Sequence, residues 1–320
     1  MSLATLRENQ PATATGPNAA DAYPSRMKDR PEVLPRQDPI VYGDAPEQAG
    51  PLSRELLDAY ERDGFLILPA FFSPAEVEAC RSELSRLCDS DEIKSRREAI
   101  IEPESRDLRS LFSVHRISEQ FAGVAADERV VAMMRQILGS DVYIHQSRVN
   151  LKPGLAGKEF YWHSDFETWH VEDGMPRMWA VSCSILLTPN NAHNGPLMLI
   201  PGSHRQFIAC VGETPEEHYV TSLRRQEYGV PDAESLERLA DEGGIEAALG
   251  SAGTLVLFDC NTMHGSNSNI SPWPRSNLFF VYNSVENRLQ PPCCGLKPRP
   301  EHIAAREHAA PLIPRPGSRQ

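Results

Sequence analysis

The stretch Tyr143 to Lys152 constrains this chain more than any other, because its residues change face one by one over ten positions. A period of two belongs to a β-strand. Tyr143, His145, Ser147, Val149 and Leu151 fall on one face, and Ile144, Gln146, Arg148, Asn150 and Lys152 on the other, which is almost wholly polar. Trp179 to Leu187 alternates as well: Val181, Cys183, Ile185 and Leu187 point one way, and the small Ala180, Ser182 and Ser184 point the other, leaving room for a ligand. Shorter strands are predicted at Leu197 to Ile200, Thr254 to Asp259 and Asn277 to Ser284, divided by turn clusters such as Pro189-Asn-Asn and Asn194-Gly-Pro.

Upstream, the pattern is helical. Leu56, Leu57 and Tyr60 share one face of a helix from about Ser53 to Arg62, stopped by Gly64, and a short buried strand follows at Phe65 to Leu68. Ser73, Pro74 and Glu76 form a capping box ahead of an apolar stripe through Val77, Cys80, Leu84 and Leu87. A third helix spans Glu128 to Leu138 and ends at Gly139. Helices first and many short strands afterwards imply a β-sandwich or jelly-roll barrel with helices packed outside. With 320 residues, one substantial core is expected over 51–290, preceded by an irregular Pro-rich arm (1–50) and followed by an irregular tail (291–320).

The formal net charge of −12 disfavours nucleic acid and anionic membrane surfaces as partners and leaves a small molecule as the expected one. Met1 to Pro11 lacks a basic segment leading into an apolar stretch, and no apolar run is long enough to span a bilayer, so a cytoplasmic protein is expected. The seven cysteines include no CxxC pair and suggest reduced, structural thiols.

In Phe160-Tyr-Trp-His-Ser-Asp-Phe, His163 and Asp165 are two apart, so on a strand both side chains leave one face and can reach one ion. A pair of this kind, taken alone, is more often a surface pair. A third ligand must come from elsewhere, and His264 follows the apolar strand Thr254 to Phe258. Two imidazoles and a carboxylate on one side of an octahedron form the facial triad of non-haem iron(II) oxygenases, with the opposite side open. Arg275, across the turn Asn269-Ile-Ser-Pro-Trp-Pro, could hold a dicarboxylate by paired hydrogen bonds, unless it is an unrelated surface arginine. His170, His193, His204 and His218 lack a carboxylate at ligand spacing or lie beside a complete motif, and read as structural or exposed.

This order of HxD, distal His and following Arg resembles the phytanoyl-CoA dioxygenase superfamily. Phe160 to Pro176 resembles the distinguishing segment of its ectoine hydroxylases, as do Asn194-Gly-Pro-Leu-Met-Leu-Ile-Pro-Gly-Ser-His, Phe258-Asp-Cys-Asn-Thr-Met-His-Gly-Ser-Asn and Pro274-Arg-Ser-Asn-Leu-Phe-Phe-Val-Tyr-Asn. The likeness runs from about Asp63 to Pro300, with Trp179 and Ser268 where the pattern leads one to expect Arg and Gly.

The resemblance implies a mainly β chain with flanking helices around a double-stranded β-helix (jelly-roll, cupin-like) core, and a homodimer. It implies Fe(II) on His163, Asp165 and His264, with 2-oxoglutarate and O2 as cosubstrates. Oxidative decarboxylation to succinate and CO2 would then hydroxylate L-ectoine to 5-hydroxyectoine. Lys152 and Arg275 are placed at the distal carboxylate of 2-oxoglutarate, with Arg148, Asn150, Phe160, Ser182 and Ser266 around it. On polarity alone, the row containing Lys152 would more often face solvent. Ectoine is a cyclic amidinium bearing a carboxylate, so Trp169 and one of Phe279 or Phe280 would be its walls, with Gln146 on the ring and Thr168 in support. Two other readings remain: hydroxylation of another small zwitterion, or a jelly-roll protein that binds a metal or ligand without catalysis.

Overall fold

The computed structural model describes residues 21–43, 50–102, 106–217, 219 and 228–317. In chain order the elements are β1 (Glu32–Pro35), α1 (Arg54–Asp63), β2 (Phe65–Leu68), α2 (Pro74–Cys88), α3 (Asp91–Lys94), β3 (Ala99–Ile101) and β4 (Leu108–Phe112). Helices α4 (Val114–Ile117), α5 (Glu119–Ala125) and α6 (Glu128–Leu138) lead into the long strand β5 (Val142–Lys152). Then come β6 (Phe160–His163), α7 (Asp165–Asp173), β7 (Ala180–Leu186), β8 (Leu197–Leu199) and β9 (Gln206–Ala209). The last are α8 (Ala233–Gly243), β10 (Glu246–Ala247), β11 (Leu255–Asp259), β12 (His264–Ser266) and β13 (Arg275–Ser284).

The helices expected from sequence start and stop on the chemistry that announced them. Ser73 accepts from the Glu76 amide while the Glu76 carboxylate accepts from Ser73, completing the capping box of α2. Gly64 and Gly139 end α1 and α6 in the left-handed conformation, at φ 84° and 60°. A side chain at Gly64 would also meet the His204 ring.

A seven-stranded antiparallel sheet, in the order β2-β11-β7-β13-β5-β4-β3, forms one layer of the jelly roll, and a four-stranded sheet, β10-β8-β12-β6, forms the other. On the outer face of the large sheet, Val181, Cys183, Ile185, Leu278, Phe280 and Tyr282 pack with Tyr60, Leu84, Val131 and Met134 from α1, α2 and α6. Between the sheets, Phe65, Val256 and Phe258 meet Leu197 and Leu199. Removing the ring of the fully buried Phe280 should therefore be a stability lesion: Phe280→Ala is expected to lower unfolding free energy by about 3–5 kcal/mol, measured by urea denaturation.

Strict alternation along β5 fails at one point. Val281 pairs with Gln146 and Tyr282 with Ile144, so His145 is an extra residue, a β-bulge. Gln146 to Lys152 keep the faces the sequence suggested, but Ile144 joins Val142 in the helix-covered core and does not share the side of Arg148. The arm is also more ordered than expected. Glu32–Pro35 forms a strand paired with β9, and Tyr23 is buried against Phe166 and Phe207. The tail at 291–317 forms no helix or strand, yet buries Ile303 and Ala304. No helix among the described residues is long and apolar enough to cross a membrane, and all seven cysteines are free thiols.

Candidate metal centre and anion pocket

His163 ends β6, His264 opens β12, and the two are directly paired across the small sheet. Their rings lie 4.2 Å apart between centroids. Asp165 is not on the strand, as its spacing from His163 suggested, but is the first residue of α7. Its backbone turns after Ser164, whose hydroxyl donates to Asn261, and the positive end of the helix favours an anion there. Even so, Asp165 Oδ1 lies 3.6 Å from His163 Nε2, and Oδ2 lies 3.9 Å from His264 Nε2. One ligand atom from each of the three falls within 4.8 Å of the others.

The imidazoles are held for ligation. His163 Nδ1 donates to the Tyr161 carbonyl at 2.8 Å and His264 Nδ1 to the Thr262 carbonyl at 2.9 Å. A carbonyl can only accept, so each Nδ1 carries the proton and the Nε2 atoms face the carboxylate. Burial, and then His163, push His264 down to about 4, so it is neutral at neutral pH. Burial alone would raise Asp165, but His264, His163 and Arg148 outweigh it and hold the carboxyl well below its ordinary range. Ser182 Oγ steadies the carboxylate from behind, donating to Oδ2 at 3.2 Å.

An open cleft runs from His163 and His264 to Lys152 and Arg275. Arg148, Asn150, Phe160 and Ser266 line it too, so six of the seven residues expected around a cosubstrate share one cavity; Ser182 sits outside it, against Asp165. Lys152 and Arg275 are opposite each other in the β5–β13 register. Lys152 Nζ donates to Ser266 Oγ at 2.9 Å and to the Asn267 carbonyl at 2.5 Å. Burial, then Arg275 and Arg109, push its ammonium down to about 7. Arg275 is 5% exposed, its Nε and Nη1 have no hydrogen-bond partner, and burial pushes it down to about 10. A buried guanidinium with orphaned donors and a second cation beside it is a site for an anion absent from the protein itself.

The four residues expected at a substrate are not in that cleft. Gln146 donates its amide to the Ile303 carbonyl at 2.8 Å, and Trp169 packs edge-on to His145 at 5.1 Å within a cluster that includes Met175 and Met178. Thr168 is buried beside them on α7. Phe280 is a correction: it faces the helix-covered core, whereas Phe279 lines the cleft. The sequence also missed Phe112, which with Phe279 sandwiches the Arg148 guanidinium, at 6.0 Å and 5.3 Å. Trp179 lies away from the cleft, stacked on Tyr42 at 4.5 Å. Ser268 donates to Glu159 at the surface.

His204 is buried, donates to the Glu61 carbonyl and is pushed down to about 4 by burial; His193 is exposed, and His218 lies outside the described residues. Neither the arm nor the tail was expected at α7, but both hold it. Arg26 pairs with Glu167 at 2.7 Å and Glu172 at 2.8 Å, and Arg299 pairs with Asp173 at 2.5 Å, all buried.

The family model described as phytanoyl-CoA dioxygenase (PhyH) matches residues 60–277. The ectoine dioxygenase of Bordetella bronchiseptica is 60% identical over 289 residues, which is 90% of this chain and 94% of that protein. Crystal structures of EctD from S. alaskensis, one with bound Fe and one with 2-oxoglutarate and 5-hydroxyectoine, each match with a TM-score of 0.84. They are 46% and 47% identical, over 93% of this chain and 99% of theirs. Identity at that level across so much of the sequence, on the same fold, makes the chain a member of the phytanoyl-CoA dioxygenase family and, within it, of the ectoine dioxygenases.

Proposed function

We propose that the chain hydroxylates ectoine to 5-hydroxyectoine, consuming 2-oxoglutarate and O2 and releasing succinate and CO2. The observation that carries this reading is the orphaned guanidinium of Arg275 in the same cleft as His163 and His264, with Asp165 beside them. A site that only held a metal would leave that buried charge without a use. The ectoine substrate is supported by the relatives, whose names and bound product carry it.

The donor set fits Fe(II): two neutral-tautomer nitrogens and one ionised carboxylate oxygen, the combination that would hold a non-haem iron and leave it accessible to cosubstrates. Bound there, the iron supplies the oxidising chemistry that splits O2 between the 2-oxo acid and the substrate. The chain's own work is positional. His163, Asp165 and His264 hold the ion, and Ser182 orients Asp165. Arg275 and Lys152 fix the distal carboxylate of 2-oxoglutarate, while Phe112, Phe160 and Phe279 exclude water from the reacting end. Gln146, Thr168 and Trp169 are the ectoine-side residues in this reading, supported by the family likeness and lying outside the cosubstrate cleft.

Protein loaded anaerobically with Fe(II), then mixed with O2, 2-oxoglutarate and ectoine, is expected to give succinate and a product heavier by one oxygen. Succinate formed without that product, or faster turnover of proline than of ectoine, would sink the substrate assignment.

Lys152 gives this reading a pH signature. A carboxylate beside the ammonium raises its pKa from about 7, so binding is strongest below that value and weakens as pH rises through it. The affinity for 2-oxoglutarate should fall by up to about tenfold per pH unit above neutrality. The KM for 2-oxoglutarate between pH 6 and 9 checks this, and Lys152→Met should flatten the profile.

A further inference from the structure

Two groups among the described residues bring three ligand-type atoms within 4.8 Å of one another. One is the triad. The other, Asp21, His170 and Cys293, has no part in the reaction proposed above. It shares α7 with Asp165, but His170 lies five residues further on, about 7.5 Å along the axis and about 140° around it. The two clusters therefore face different sides of one helix.

We propose that Asp21, His170 and Cys293 form a second metal site, for Zn2+, that staples the arm and the tail to α7. A thiol, an imidazole and a carboxylate from three parts of the chain make a mixed S, N, O set that suits a tetrahedral borderline-soft ion, with the fourth position left for water. The imidazole is already set for it. His170 Nδ1 donates to the Met175 carbonyl at 2.7 Å, the same device that fixes His163 and His264, so its Nε2 is directed outward. That Nε2 faces both Asp21 oxygens, at 3.0 Å and 3.2 Å. The Cys293 thiol sits against the carbonyls of His170 and Val171, at 3.7 Å and 3.8 Å, and is exposed enough for an ion to reach. Metal binding replaces the thiol proton, and any proton on Nε2, with bonds to one ion.

The links this ion makes are long in sequence: 149 residues separate Asp21 from His170, and His170 lies 123 residues before Cys293. Clips that close such loops restrict the unfolded chain most. The ion would act beside Arg26 and Arg299, which already tie the same two segments to the same helix.

Cobalt(II) is the probe, because a thiolate bound to it gives a charge-transfer absorption that the sulfur-free triad cannot produce. Metal-stripped full-length protein titrated with Co2+ should develop that absorption, and Zn2+ should displace it. His163→Ala should retain it, so the readout does not depend on iron or on ectoine turnover. Cys293→Ser, conservative and at an exposed position, should remove the band and lower Zn2+ affinity at least tenfold, and Asp21→Asn should weaken Zn2+ to a similar extent. Zn2+ should also raise the melting temperature of the wild type by more than that of Cys293→Ser. A wild type without the band, or a Cys293→Ser protein that keeps it while folded by circular dichroism, overturns the proposal.

Discussion

His163→Ala, Asp165→Ala and His264→Ala are each expected to reduce ectoine turnover to background while the far-ultraviolet circular dichroism stays that of the wild type. Facial coordination needs all three donors, and each replacement leaves two that cannot hold the ion in place or keep the remaining positions open on one side. The fold should survive because none of the three is a packing residue of the main core. Asp165→Ala costs the Ser182 hydroxyl its acceptor, worth about 1 kcal/mol, and takes from His163, His264 and Arg148 the carboxylate they favour, a local loss outside the main core. Anaerobic iron binding and single-turnover succinate formation check the set. Wild-type turnover in any one variant would remove that residue from it.

Arg275→Met carries the second large effect, and its sign differs between stability and binding. A buried guanidinium with two unpartnered nitrogens is a cost to the ligand-free fold, so a methionine of similar reach should leave the melting temperature unchanged or raise it. Affinity for 2-oxoglutarate should instead fall by about 2–5 kcal/mol, or roughly 30- to 5,000-fold, because the distal carboxylate would be desolvated without its partner. Calorimetry with and without the cosubstrate separates the two. The wild type should gain stability from 2-oxoglutarate and the variant should gain little. A variant that binds as tightly as the wild type would show that Arg275 holds no carboxylate.

What could be read from sequence followed the range of the interactions involved. Helices α1, α2 and α6 carry their start and stop signals within a few residues, in Ser53, Ser73, Glu76, Gly64 and Gly139, and the structure places them within a residue or two of the expected bounds. Helix α7 has no such stripe. It is buried on nearly every side, and its Glu167, Glu172 and Asp173 are tolerated there only because Arg26 and Arg299 arrive from either end of the chain. No local pattern could announce that, so Asp165 was placed on a strand. Strand β1 was hidden for the same reason, since its partner β9 is more than 170 residues away. Phe279 was within reach: counting by twos along β13 from Arg275, which faces the cleft, arrives at Phe279 and passes over Phe280.

The extra residue in β5 has a consequence of parity. Before it, the even-numbered Val142 and Ile144 enter the helix-covered core; after it, the even-numbered Arg148 and Lys152 enter the cleft. An unbroken strand would put every even position on one side, and it would have to give up either the oil at its start or the cations at its end. Straightening β5 with His145 kept in it would thus act as a frame error in space: all the residues would be retained, and those on one side of it would face the wrong way.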